Sequence, residues 1–161
     1  MSPAALLALA RAKGARIATA ESCTGGMISA ALTDVAGSSD VFDRGFVTYS
    51  NAAKQAMLGV SQDTLARVGA VSEEVAREMA EGALARSEAT LAVAVTGIAG
   101  PGGSEVKPEG RVCFALALRD RPTTVETVEF GPRGRAAVRS ATVGHALTLM
   151  AQALGDLPAK G

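Results

Sequence analysis

The chain has 161 residues with sixteen basic and sixteen acidic side chains, so its formal charge is zero; 48% is hydrophobic and 20% charged. That length carries one domain with a substantial core, and the even charge excludes a chain built to coat nucleic acid or an anionic membrane. Only 3% is aromatic, so the core has to be assembled from Ala, Val, Leu and Ile.

In chain order, Pro3 to Lys13 is predicted as an amphipathic helix, with Pro near its start and Gly14 after its end. ARIATA (15–20) reads as a buried strand. Thr24 is the expected N-cap of a helix from Gly25 to about Val35, stopped by AGSSD. VFDRGFVTYS (41–50) reads as a strand with a bulge at Gly45. Ser50 or Asn51 can cap the short helix NAAKQAML, and GVSQDTLARVGA (59–70) receives no element. SEEVAREMAEGALARS (72–87) is a helix with Ser72 as N-cap and two glutamates in its first turn. ATLAVAVTG (89–97) is a continuous apolar run, suited to a central strand covered on both faces. Residues 97–110 form a loop with five glycines and two prolines. RVCFALAL and TTVETVEF follow as a hairpin joined by RDRPT, and a last helix runs from about Arg133 to Leu154. Helices alternating with strands and closed by a hairpin imply one α/β layered domain, residues 1–161, with a mixed sheet.

Two cysteines far apart, Cys23 and Cys113, and a single histidine, His145, give no disulfide framework and no zinc spacing. They are read as free thiols and a structural histidine in a reducing cytosol. No run reaches membrane-span length, and the N-terminal stretch has no early positive charges, so no targeting segment is expected.

Three segments can carry chemistry. The first is the corner Glu21-Ser22-Cys23-Thr24-Gly25-Gly26, where a strand delivers its residues to a helix N-terminus. Unpaired amides and the helix dipole favour negative charge there, so Ser22 or Cys23 could be a nucleophile whose oxyanion is caught by neighbouring N–H groups. The plainer alternative is a Thr-capped helix with glycines for the turn. The second is VTYSNAAK, with Tyr49, the only tyrosine, at a strand end and Lys54 in the first turn of a helix. A cation there opposes the dipole, which should lower its pKa toward that of a general base; a solvated lysine is the alternative. The third is AVTGIAGPGG, where Thr96 closes a buried strand and the following glycines could nest a phosphate or carboxylate. Arg135 and Arg139 lie four apart and share a helix face, a pairing that suits phosphate or plain solvation.

AESCTGG, TYSNAAKQAMLGV, AVTGIAGPGG, KPEGRVCFAL and GRAAVR, in that order and spacing, resemble the CinA carboxy-terminal domain family, over about residues 5 to 155. The resemblance implies a three-layer αβα sandwich with a mixed central sheet that deamidates nicotinamide mononucleotide (NMN) to nicotinate mononucleotide and ammonia, as the family's stand-alone nicotinamide-nucleotide amidases do. By that likeness Ser22 matches the nucleophile and Lys54 its base. Tyr49 stands beside them, and Thr96 lines the same pocket. Substrate binding is expected at Thr24, Gly25, Gly26, Asn51, Gly97, Gly100, Gly102 and Gly103, with the phosphate against the glycine loop or Arg135 and Arg139. Amides near Gly25 and Gly26 are expected to receive the oxyanion. No metal or cofactor is expected, nor any nucleic-acid or membrane partner; a cytoplasmic homodimer or higher homo-oligomer is. Two readings compete with this one: a non-catalytic nucleotide- or partner-binding module of the same fold, and a serine amidohydrolase acting on a non-nucleotide amide.

Overall fold

The computed structural model describes residues 1–104 and 106–160. Alternation inside the apolar runs decides the architecture. In β1 (Ile17–Glu21), β3 (Leu91–Gly97) and β4 (Arg111–Leu118), bulky residues such as Ile17, Val93, Val95, Phe114 and Leu116 join one core cluster. Ala18, Ala20, Ala92, Ala94, Ala115 and Ala117, alternating with them, join another. The bulky face meets α1 (Pro3–Lys13), α2 (Met27–Thr33) and α6 (Arg135–Gly155) through Leu6, Leu7, Ile28, Leu32 and Met150. The alanine face meets α3 (Asn51–Leu58), α4 (Gln62–Val68) and α5 (Glu73–Ala85) through Leu58, Leu65, Val75 and Met79. Small residues let this second layer lie close. A Cβ on Gly82 of α5 would sit 2.0 Å from the Leu58 carbonyl oxygen at the end of α3. The result is a three-layer α/β sandwich.

With β2 (Phe42–Val47) and β5 (Thr124–Glu129), the sheet has the order β2-β1-β3-β4-β5. β1 pairs in parallel with both β2 and β3, and β4 and β5 add antiparallel strands beyond β3. The chain leaves β1 for β2 on one side and later returns to β3 on the other. Open α/β sheets bind ligands at such a switch point, outside the carboxyl ends of the strands. Ser22, Thr48 and Thr96 all lie at those ends.

Local chemistry explains most boundaries. The hydroxyls of Ser50 and Ser72 accept from the amides of Ala53 and Val75, so α3 and α5 start where a serine can cap them. Three details differ from the sequence expectation. The β1–β2 register shifts between Ile17 and Ala18, whose partners are Phe42 and Arg44, so the bulge falls at Asp43 and not at Gly45. Gly45 serves close packing: a Cβ there would come within 2.4 Å of the Ser29 hydroxyl. Residues 62–68, given no element from sequence, form α4, capped by Ser61. Finally, α2 begins at Met27 with no side-chain cap from Thr24, for a reason found in the site itself. No helix among the described residues is long and apolar enough to cross a membrane.

Candidate active site

The corner after β1 is held at several points. The Ser22 amide extends the ladder to the Val95 carbonyl, and the Ser22 carbonyl accepts from the Gly25 amide at 3.0 Å. Gly25 and Gly26 have φ of +56° and +106°, left-handed values that a side chain would strain. Thr24 turns its hydroxyl back to Glu21 Oε1 at 2.6 Å, which is why it caps nothing. The buried Glu21 carboxylate caps α2 in its place, accepting from the amides of Ile28 and Ser29. From outside, the Arg139 guanidinium donates to the carbonyls of Cys23 and Thr24 at 3.1 and 3.2 Å.

Lys54 enters from α3. Its side chain is almost wholly buried, 1% exposed, and Nζ donates to Ser22 Oγ and to the Thr48 carbonyl, each at 2.8 Å. Among the described residues, no carboxylate is one of its hydrogen-bond partners. Burial lowers its pKa from 10.5 to about 8, partly opposed by the neighbouring Cys23 thiol. Removal from water is the largest cause of the shift, which the sequence expectation had ascribed to the helix dipole. Burial acts on the Cys23 thiol in the opposite sense and raises it to about 11, which keeps the sulfur protonated. An amine near neutrality thus touches a hydroxyl, beside a thiol held inert.

These groups line a cavity of about 190 Å³, together with Tyr49, Asn51, Thr96, Gly97, Arg135 and the wall Ala70–Val71. A larger cavity of about 400 Å³ between the β4–β5 turn and α6 has Leu116, Leu118, Leu149, Thr124 and Asp156 in its lining, but no serine, cysteine or lysine. Thr96 donates its hydroxyl to the Ala70 carbonyl at 2.9 Å and so fixes the wall. Tyr49 is 60% exposed at the mouth, its hydroxyl accepting from Arg135 at 2.6 Å; Arg135 also donates to the Gly100 carbonyl.

The structure separates the predicted residues into those on this cavity and those behind it. Ser22, Tyr49, Asn51, Lys54, Thr96, Gly97 and Arg135 line it; Thr24, Gly25, Gly26, Gly100, Gly102, Gly103 and Arg139 do not. The Gly25 amide, expected near the oxyanion, is spent on Ser22. Arg139 donates from Nε and Nη2 to two corner carbonyls and does not line the cavity, whereas Arg135 does. The glycine loop nests a carboxylate of its own: the Gly102 amide donates to Glu109 at 2.5 Å. Lys107 ties the same loop to the wall through the carbonyls of Val68 and Val71. Sequence reading assigned no role to Glu21, Thr48 or Lys107. For Glu21 a signal existed, a glutamate ending the otherwise buried strand IATAE.

Residues 2–154 match the profile of the CinA C-terminal domain. The chain belongs to that family. It is 52% identical over 143 residues to the nicotinamide-nucleotide amidohydrolase PncC of Escherichia coli strain K12, covering 88% of this chain and 86% of that one. It is 58% identical over 125 residues to a CinA-like protein of Chlorobium phaeobacteroides, but spans only 30% of that protein's length. Among solved structures, the competence/damage inducible protein CihA from Agrobacterium tumefaciens superposes with a TM-score of 0.86 at 49% identity, over 97% of this chain and 99% of that one.

Proposed function

We propose that this CinA-family chain hydrolyses the carboxamide of nicotinamide mononucleotide, with Ser22 as nucleophile and Lys54 as its base. The observation that carries the reading is the 2.8 Å contact between Lys54 Nζ and Ser22 Oγ, made by an amine whose pKa burial has lowered to about 8. The likeness to the PncC amidohydrolase supplies the substrate.

Neutral Lys54 takes the Ser22 proton as Oγ attacks the carboxamide carbon. The tetrahedral oxyanion forms beside Ser22, where Cys23 lines the cavity and its amide has no backbone acceptor among the described residues. Lys54 then passes its proton to the departing nitrogen, and ammonia leaves an ester on Ser22. Water, giving a proton to Lys54, attacks that ester. Lys54 returns the proton to Ser22 Oγ as the C–O bond breaks, which restores the dyad and frees the acid, which ionises to the carboxylate. The cavity is sized for the aromatic amide rather than a whole nucleotide, so ribose and phosphate leave through the mouth, past Tyr49 and toward Arg135. The pyridinium charge of the bound substrate favours neutral Lys54 further, since like charges disfavour one another.

Ammonia release from NMN by the purified chain tests the reading, with Ser22→Ala and Lys54→Ala beside it. Turnover that collapses in both variants supports the dyad. Undiminished turnover in Ser22→Ala sinks it, and NMN binding without turnover by the parent leaves a nucleotide-binding module.

A further inference from the structure

β1 is almost entirely apolar until its last residue. Glu21 is fully buried and lies one position before the proposed nucleophile. A buried carboxylate is costly unless its lone pairs are met. Here four donors from one stretch of chain meet them. Oε1 accepts from the Thr24 hydroxyl at 2.6 Å and the Ile28 amide at 2.9 Å. Oε2 accepts from the Ser29 amide at 2.9 Å and the Ser29 hydroxyl at 2.8 Å. No lysine or arginine is among these partners, so the charge rests on the first-turn amides of α2 and two hydroxyls.

A helix start needs less than this. A hydroxyl at Thr24 or Gly26 would cap α2 locally, without a charge in the core. What Glu21 does that a local cap cannot is span the corner. One side chain joins the end of β1 to residues 24, 28 and 29, so the loop 22–26 is closed at both ends by the same group. Within that ring the Ser22 amide and carbonyl are both committed, to Val95 and Gly25. The backbone of Ser22 is thereby fixed, and only the side-chain torsion remains to bring Oγ onto Lys54.

We propose that Glu21 is a positioning residue for the amide hydrolysis, holding the corner so that Ser22 Oγ stays on Lys54 Nζ through attack and deacylation. The inference rests on Ser22 being the nucleophile. It requires the carboxylate itself and not any polar side chain. Each Glu21 oxygen faces one backbone N–H, and a backbone amide cannot be turned round. A glutamine amide group would set its own NH2 against Ile28 N–H in one orientation and against Ser29 N–H in the other. Aspartate keeps both acceptors but withdraws them by one methylene.

The test compares the parent, Glu21→Gln, Glu21→Asp and Ser22→Ala in NMN deamidation. It measures kcat and KM, the thermal midpoint, and the rate of labelling by a serine-directed fluorophosphonate. Displacing a reacting group by about 1 Å costs on the order of 100-fold. Glu21→Gln is therefore expected to lose about that much in kcat and in labelling rate. Its KM should stay within about threefold of the parent at a temperature well below both midpoints, because no substrate-contacting group is removed. Glu21→Asp should fall between the two. A folded Glu21→Gln with near-parent kcat overturns the proposal. So does a loss that vanishes on cooling, which would make Glu21 a stability residue. If Glu21→Gln does not fold, Ser29→Ala, which removes one hydroxyl donor, replaces it: a lower kcat at constant KM supports the proposal, and an unchanged kcat overturns it. Full activity in Ser22→Ala instead refutes the nucleophile, whatever Glu21 does.

Discussion

Two loops close the carboxyl ends of the neighbouring strands β1 and β3, and they are built on opposite plans. The corner at 22–26 has five residues, and Ser22, Cys23 and Thr24 in it are buried. It is held from inside by a carboxylate and from outside by Arg139. The loop from Ile98 to Gly110 is longer, and half of its described residues are exposed, with Val106 82% exposed. It is pinned at a few points, by Lys107 to the wall, by Arg135 at Gly100 and by Glu109 on itself. The difference matches what each would do. Acid–base chemistry needs atoms placed to a fraction of an ångström, whereas holding a phosphate at the mouth tolerates a softer support.

If the division holds, disturbing the corner should lower kcat and disturbing the loop should raise KM. The largest effect is expected from Lys54→Met, which removes the proposed base at similar volume: activity should fall roughly 10³- to 10⁴-fold. The same change should stabilise the fold. Lys54 has a folded-state pKa of about 8 against 10.5 when solvated, so the unfolded chain binds its proton more tightly. The penalty is complete below pH 8 and is relieved as pH rises from about 8 to 10.5. Lys54→Met should therefore add about 1–2 kcal/mol at pH 7, after subtracting the bond lost at the Thr48 carbonyl, and the gain should shrink toward pH 10. Thermal or urea unfolding at several pH values measures it; a destabilised variant would mean that Lys54 carries no stored charge.

The pH profile of the parent sharpens the same point. Only the neutral amine can accept the Ser22 proton, so kcat/KM should rise with pH through about 8 and then level. A cationic substrate favours the neutral amine, so the kcat profile should lie to the acid side of it. Coincident profiles would remove the substrate's charge from the mechanism.

Arg135→Ala probes the loop side. It deletes the group that joins Tyr49 to Gly100 at the mouth, and about a tenfold rise in KM with kcat within about threefold is expected from the loss of one charged phosphate contact. Steady-state kinetics with NMN decide the matter: a fall in kcat like that of Lys54→Met would erase the distinction between corner and loop.

The layers, the central strand and the serine caps of α3 and α5 were legible because they follow from period and from contacts three residues apart. α4 escaped, although Ser61 caps it, because its seven residues place only Thr64 and Leu65 in the core. Helical spacing put Arg135 and Arg139 on one face. It could not tell that one guanidinium turns to the mouth and the other to two corner carbonyls, since that depends on where α6 starts against the corner. Lys54 was singled out for its position on the dipole, yet its lowered pKa comes from burial, which no local window reveals. What Glu21 binds was hidden for the same reason. Its partners lie three, seven and eight residues on, and only the fold turns them all toward one carboxylate.

The smallest effect is expected at Cys23, where the corner offers a second nucleophile beside the first. Its thiol is buried, with a pKa near 11, so at pH 8 only about one molecule in a thousand carries the thiolate. Among the described residues no hydrogen bond joins its sulfur to Lys54, whereas Ser22 Oγ has one at 2.8 Å. Cys23→Ser keeps the size of the side chain and should lower kcat by no more than about threefold, because no reacting atom is lost. Iodoacetamide should correspondingly label the parent slowly at pH 8, and blocking that thiol should lag far behind fluorophosphonate inactivation. Rapid alkylation together with a dead Cys23→Ser would move the chemistry from oxygen to sulfur, and the corner would then be built around the thiol whose pKa burial raises.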